Sequence, residues 1–173
     1  TGYTTDVGSK TIDVALKTAG KDTAKGTDVG KYYMGLTAND FTVTSSNYSN
    51  IKVNVVDGYL EITPVTDKVT VTVTEKSASY VYNGTERSIT GYKSMTADNT
   101  LYDIADVAET PTAAWTAKGT DVGEYPVGIA AADFENTSVN FTNVEFKIVD
   151  GKLEITPASV AVVKIAGNTN TVT

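Results

Sequence analysis

Carboxylates are the residues with which this chain could do chemistry. The sequence contains neither histidine nor cysteine, which excludes Ser-His-Asp and Cys-His triads, H-E-x-x-H and cysteine zinc sites. No glycine-rich phosphate loop is present. Paired acids could hydrolyse a glycoside, one protonating the leaving oxygen while the other attacks or activates water. The candidates are Asp28, Asp40 and Glu61, which return as Asp121, Asp133 and Glu154. Turns and cross-strand pairs account for all six positions. The expected class is therefore a non-enzyme with no catalytic residues and no cofactor.

Two other groups could bind. Asp98-Asn99, Asp103 and Asp106 make an oxygen-rich stretch of the kind that can hold calcium, although without EF-hand spacing. A solvated acidic loop is the plainer reading, and no metal is expected. Trp115, the only tryptophan, aligns with Asp22 in a sister segment when the alignment gap lies upstream. An exposed Trp there would serve a sugar or protein contact; if the gap lies elsewhere, Trp115 belongs to the core. A Lys–Asn isopeptide would need a buried lysine, with Lys76 or Lys164 as the candidates. A Thr–Gln ester is excluded because glutamine is absent. Tyr80, Tyr82 and Tyr92 read as strand packing.

The elements that must position these residues come in two copies. Residues 24–64 return at 117–157, an offset of 93, with 24 identities in 41 ungapped positions. Repetition of a module of domain size defines an array, whose properties come from length, spacing and exposed surface. Such a module can bury a modest core without a metal or disulfide.

Composition narrows the partners. A net charge of −7, a pI near 4.5 and a single arginine, Arg87, argue against nucleic acid, which needs clustered Lys and Arg. The same charge disfavours anionic lipid. No apolar run is long enough for a spanning helix, so membrane insertion is not expected. With no initiating Met, signal peptide or sorting tail in view, the chain reads as a mature product or a piece of something longer. Thr, Val, Ser, Asn, Gly and Asp dominate, which is strand and turn chemistry.

Val69-Thr70-Val71-Thr72-Val73-Thr74 alternates at period two and predicts a strand with its valines inward. Asp57-Gly58 and Asp150-Gly151 predict two-residue type I′ hairpins. That register sets Val149 against Lys152, Ile148 against Leu153, Lys147 against Glu154 and Phe146 against Ile155, and in the first copy Val55 against Leu60 and Val53 against Ile62. Asp28-Val29-Gly30-Lys31-Tyr32 and Asp121-Val122-Gly123-Glu124-Tyr125 share the form D-x-G-x-Y. It resembles the tyrosine corner of immunoglobulin-type sandwiches, in which the hydroxyl bonds back to upstream backbone. Ala38–Phe41 and Ala131–Phe134 predict single helical turns.

The expected fold is all-β: tandem immunoglobulin-like β-sandwich modules, with β-grasp-like modules as the alternative. The inward candidates are Met34, Leu36, Phe41, Val53, Val55, Leu60 and Ile62, with Val127, Ile129, Phe134, Phe146, Ile148, Leu153 and Ile155 as counterparts. Residues 1–64 read as an incomplete repeat lacking what the second copy has at Val69–Ile89. Residues 65–157 read as a complete repeat, and 158–173 as the opening strands of another. Val160, Val162, Val163 and Ile165 in that tail are candidate donor-strand residues for an open edge.

Tyr82-Asn83-Gly84-Thr85, Gly91-Tyr92, the Gly119–Tyr125 segment, Asn140-Phe141 and Asp150–Pro157, repeated in part at Gly26–Tyr32, Asn47-Tyr48 and Asp57–Pro64, together resemble the MBG-type repeats of large bacterial surface proteins and adhesins. The resemblance covers essentially the whole chain. It implies an extracellular, cell-surface, non-catalytic segment and carries over no binding residues. Three functions follow as expectations: a stalk or spacer between neighbouring repeats, a filament subunit assembled head-to-tail by strand donation from 158–173, and an adhesin module for host glycan or protein.

Overall fold

The computed structural model describes residues 3–8, 11–111, 115–159, 162–168 and 171. Among them the chain is all-β, with three isolated 3-10 turns at Ala38–Asp40, Ile104–Asp106 and Ala131–Asp133 and no α-helix. It divides into two units. Unit 1 comprises Thr1–Thr66 with Val139–Thr142, and unit 2 comprises Asp67–Ser138 with Asn143–Thr173. The division thus falls at 66/67, and four residues of the second copy belong to unit 1.

Unit 1 holds strands β1 (Asp13–Leu16), β2 (Gly30–Tyr33), β3 (Phe41–Thr44) and β4 (Tyr59–Ile62). They form two antiparallel pairs, β1 with β3 and β2 with β4. Leu36 and Phe41 are buried, and the Tyr3 ring meets Phe41 edge-on at 5.1 Å between centroids. The 139–142 segment joins by a parallel bridge from Phe141 to Val65. Asn140 Oδ1 accepts from Val29 N at 2.7 Å while its Nδ2 donates to Asp28 Oδ1 at 2.9 Å.

Unit 2 holds β5 (Val69–Glu75), β6 (Ala78–Val81), β7 (Arg87–Thr90), β8 (Tyr92–Ala97), β9 (Val107–Glu109), β10 (Thr116–Gly119), β11 (Gly123–Pro126), β12 (Phe134–Asn136), β13 (Val144–Val149) and β14 (Lys152–Thr156). There are two three-stranded sheets, β13-β5-β8 and β11-β14-β6, and two separate two-stranded pairs, β10-β7 and β12-β9. The alternation in β5 works as its period demands: Val69, Val71 and Val73 are buried and the threonines between them are half-buried. Between the layers lie Val73, Ala117, Val127, Ile129, Phe134, Leu153 and Ile155, with Trp115, Phe146 and Ile148 packed against them.

The expected hairpins are not formed. β13 pairs in parallel with β5, setting Phe146 beside Val71, Lys147 beside Thr72 and Ile148 beside Val73. β14 pairs in parallel with β6 and antiparallel with β11, setting Leu153 beside Ala78 and Tyr125. Asp150-Gly151 is therefore the corner at which the chain leaves one sheet for the other, alongside the matching corner between β5 and β6. In unit 1, Leu60 pairs with Tyr32 and Ile62 with Gly30, and residues 51–58 belong to no strand. Gly58 and Gly151 both lie outside the positive-φ region, so neither makes the type I′ turn that a two-residue hairpin requires. What overrides the turn signal is a longer ladder: β13 gains six registered partners along β5.

Candidate functional site

The D-x-G-x-Y segments build the same corner in both units. Tyr32 Oη donates to Asp28 O at 2.8 Å, and Tyr125 Oη to Asp121 O at 3.0 Å. Each ring lies over a glycine. A Cβ on Gly26 would stand 2.1 Å from the Tyr32 ring, and one on Gly119 would stand 2.2 Å from Tyr125. Gly30 and Gly123 give these rings ordinary clearance. The corners thus tie Tyr32 and Tyr125 to the main-chain carbonyls of Asp28 and Asp121, with Gly30 and Gly123 between them.

Within 94–110, Asp98 and Asp103 take backbone amides with their carboxylates, and Asp106 contributes its main-chain carbonyl. Asp98 Oδ1 accepts from Thr70 N at 2.9 Å, and Asp103 Oδ1 caps the following 3-10 turn by accepting from Ala105 N at 2.9 Å. The Asp106 carbonyl accepts from both Thr137 N and Thr137 Oγ1. Among the described residues no group of three or more acids gathers where a metal could sit. Trp115 is half-buried. It stacks on Phe134 at 5.5 Å and donates from Nε1 to Asp133 Oδ2 at 2.8 Å. Of the two readings of Trp115, the packed one fits this geometry, because an indole so engaged has little free face for a ligand. Lys76 and Lys164 are exposed, so neither supplies the buried amine that an isopeptide needs. Tyr92 packs on the core and donates to Glu109 Oε1 at 2.6 Å, which raises its pKa.

One residue went unnoticed in the sequence. Glu75 ends β5 on the valine face and is buried. Its Oε1 accepts from Ile129 N and its Oε2 from Gly151 N, both at 2.6 Å. A Cβ on Gly151 would fall 2.2 Å from Lys76 O, so the two sheet-to-sheet corners touch through bare backbone. The signal was present: period-two alternation continued by one step puts Glu75 inward, where a charge needs donors.

Unit 1 answers the same need differently. Gly35 N and Leu36 N donate to the two oxygens of Asp57, each at 3.0 Å. Leu36 is the counterpart of Ile129, but among the described residues unit 1 has no counterpart of β5 and β6. The consequence is open space. A cavity of about 610 Å³ runs between 3–7 and 50–56 and is floored by Val14, Met34, Leu36, Phe41 and Val43. Leu60 is 39% exposed where its counterpart Leu153 is 0%.

The proposed donor strand divides at the edge of the described residues. Val160 lies outside them. Val162, Val163 and Ile165 are exposed and belong to no strand. No described helix is long and apolar enough to cross a membrane. Compared with family models, curated proteins and solved structures, the chain matches none.

Proposed function

We propose that the chain is a non-catalytic structural segment of a bacterial extracellular surface protein, an array of MBG-type, immunoglobulin-like modules acting as stalk or spacer. One observation carries this reading: the residues that repeat are consumed by shape in both copies. Tyr32 and Tyr125 bond to their own backbone four residues upstream, over Gly26 and Gly119. A catalytic or binding motif would instead present its repeated groups to a shared cleft. The tyrosine corners support the immunoglobulin-like assignment; the parallel ladders β5-β13 and β6-β14 distinguish unit 2 from a purely antiparallel sandwich.

The test is a screen of the whole chain against a glycan array and a panel of chromogenic glycosides. A spacer shows neither saturable binding nor turnover while unfolding cooperatively. Saturable glycan binding lost on Trp115→Ala in a still-folded variant supports the adhesin instead, and turnover lost on substitution of a carboxylate overturns both.

A further inference from the structure

Each three-stranded sheet of unit 2 has two outer strands, and all but one of them are guarded. Glu145 and Lys147 stand within β13, and β8 carries Lys93 and a register shift against β5 at Thr74/Glu75. β11 holds Glu124 and ends on Pro126. Charge, proline and irregular register are the devices that stop a sheet edge from recruiting another strand. The remaining outer strand, β6, has none of them. It reads Ala78-Ser79-Tyr80-Val81, and its last three residues are exposed.

The parallel ladder with β14 decides which backbone groups of β6 are left over. In such a pair alternate residues turn both N–H and C=O toward the same neighbour. Tyr82 N donates to Thr156 O at 2.8 Å, and Tyr80 O accepts from Thr156 Oγ1 at 3.3 Å, so the even-numbered residues face β14. Ser79 and Val81 therefore direct their N–H and C=O away from the sheet. Among the described residues no strand lies there to take them.

We propose that β6 is a dimerisation edge, and that its partner is β6 of a second copy of the chain, antiparallel about a twofold axis at Tyr80. That register sets Ser79 of each copy opposite Val81 of the other, so that each such pair exchanges both its N–H···O=C bonds. The two Tyr80 residues then meet across the axis as a non-hydrogen-bonded pair, where side chains approach closely. Tyr80 lies beside Ile155 on the core face, with the Arg87 guanidinium 4.9 Å from its ring centre. A second ring covers the 37% that one copy leaves exposed. Charge agrees with self-pairing. The antiparallel sense brings the exposed Lys76, just before β6, to the 83–86 turn of the other copy, which carries the exposed Glu86. Symmetry repeats that contact at the opposite end. Both halves of the interface belong to unit 2, and the proposal goes beyond the spacer reading without resting on it.

Sedimentation equilibrium of the whole chain over a wide concentration range, with amide exchange read residue by residue, tests the proposal. A monomer–dimer equilibrium is expected, because an isologous contact uses up its own surface and closes at two copies. Exchange at Ser79 and Val81 slows as the dimer forms, while Tyr80, bonded to β14 in either state, exchanges at a rate independent of concentration. Val81→Pro removes an outward N–H and leaves the β14 ladder intact; it weakens dimerisation at least about tenfold and leaves urea unfolding of the dilute monomer unchanged. Ser79→Lys with Val81→Lys alters only exposed side chains and sets like charges directly opposite at both pairs, with an effect in the same direction. Size that is independent of concentration, association that survives either variant, or association without protection at Ser79 and Val81 each overturns it.

Discussion

Glu75 and Gly151 are 76 residues apart in sequence and joined by a 2.6 Å hydrogen bond, from Gly151 N to Glu75 Oε2, inside unit 2. The same carboxylate takes Ile129 N. One buried acid thus ties together the end of β5, the approach to the second 3-10 turn of the repeat pair and the corner between β13 and β14. Removing it leaves two donors without partners, each at about 1–3 kcal/mol. Glu75→Ala is expected to cost unit 2 on the order of 3–5 kcal/mol. Urea unfolding followed by Trp115 fluorescence reads this directly, because the only tryptophan lies in unit 2.

Gly151 and Gly58 occupy equivalent positions and make opposite predictions. A methyl at Gly151 meets the Lys76 carbonyl and Cβ of Glu75, which cannot both retreat. Gly151→Ala is expected to destabilise unit 2 by about 3 kcal/mol or more. At Gly58 the nearest atoms are the flexible Met34 tip at 3.3 Å, so Gly58→Ala is expected to stay within about 1 kcal/mol of neutral. Equal costs at the two sites would contradict the account of the stacked corners.

Much of this was legible in the sequence, and the part that was not has a physical cause. Strand character, the valine face of β5 and the upstream bonds of Tyr32 and Tyr125 are local properties that periodicity and spacing record. Partner choice is not local. Asp150-Gly151 carries a hairpin turn signal, and the signal is overridden because β13 and β14 each find a neighbour from β5 or β6, about 75 residues earlier in the chain. The same non-local choice hides Glu75, whose donors come from two distant backbone segments. It also explains why the sister residues Leu60 and Leu153 differ so much in burial: only Leu153 has β6 beside it. Trp115 was ambiguous because its alignment depended on where a gap lies, and its hydrogen bond to Asp133 ties it to the packed side.

At the tyrosine corners the hydroxyl and the glycine separate two effects. Tyr125→Phe removes one hydrogen bond to Asp121 O at the margin of the fold and is expected to cost about 1 kcal/mol. Gly119→Ala drives a methyl into the ring itself and is expected to cost about 3 kcal/mol or more. Thermal unfolding of the two variants ranks them, and a Tyr125→Phe variant as damaged as Gly119→Ala would show that the hydroxyl matters more than the ring's seat.

Trp115 stacks on Phe134 in the core cluster, and its loss acts through packing. Trp115→Ala is expected to cost about 3 kcal/mol, while Trp115→Phe keeps a ring on Phe134 and loses chiefly the Nε1 bond to Asp133, about 1–2 kcal/mol. Far-ultraviolet circular dichroism during urea unfolding measures both without relying on the removed fluorophore.

The sister aspartates Asp40 and Asp133 close two of the 3-10 turns, and acid probes the contacts of the first. Asp133 of unit 2 is buried against Trp115. Asp40 of unit 1 is bonded to Lys21 and to both the amide and hydroxyl of Thr37. The Lys21 ammonium first, and the Thr37 donors after it, hold the Asp40 carboxyl down to about 2 from the ordinary 3.8. Because the folded state binds this proton less readily than the unfolded chain, the carboxylate's contribution is complete above the unfolded value. It is then lost as the pH falls from about 4 through about 2. The Thr37 amide resonance is expected to titrate with a midpoint near 2, and Asp40→Asn to flatten the acid limb of unit 1 stability while leaving neutral-pH cooperativity intact. A midpoint near 4 would mean that the Lys21 and Thr37 contacts do not hold the charge in solution.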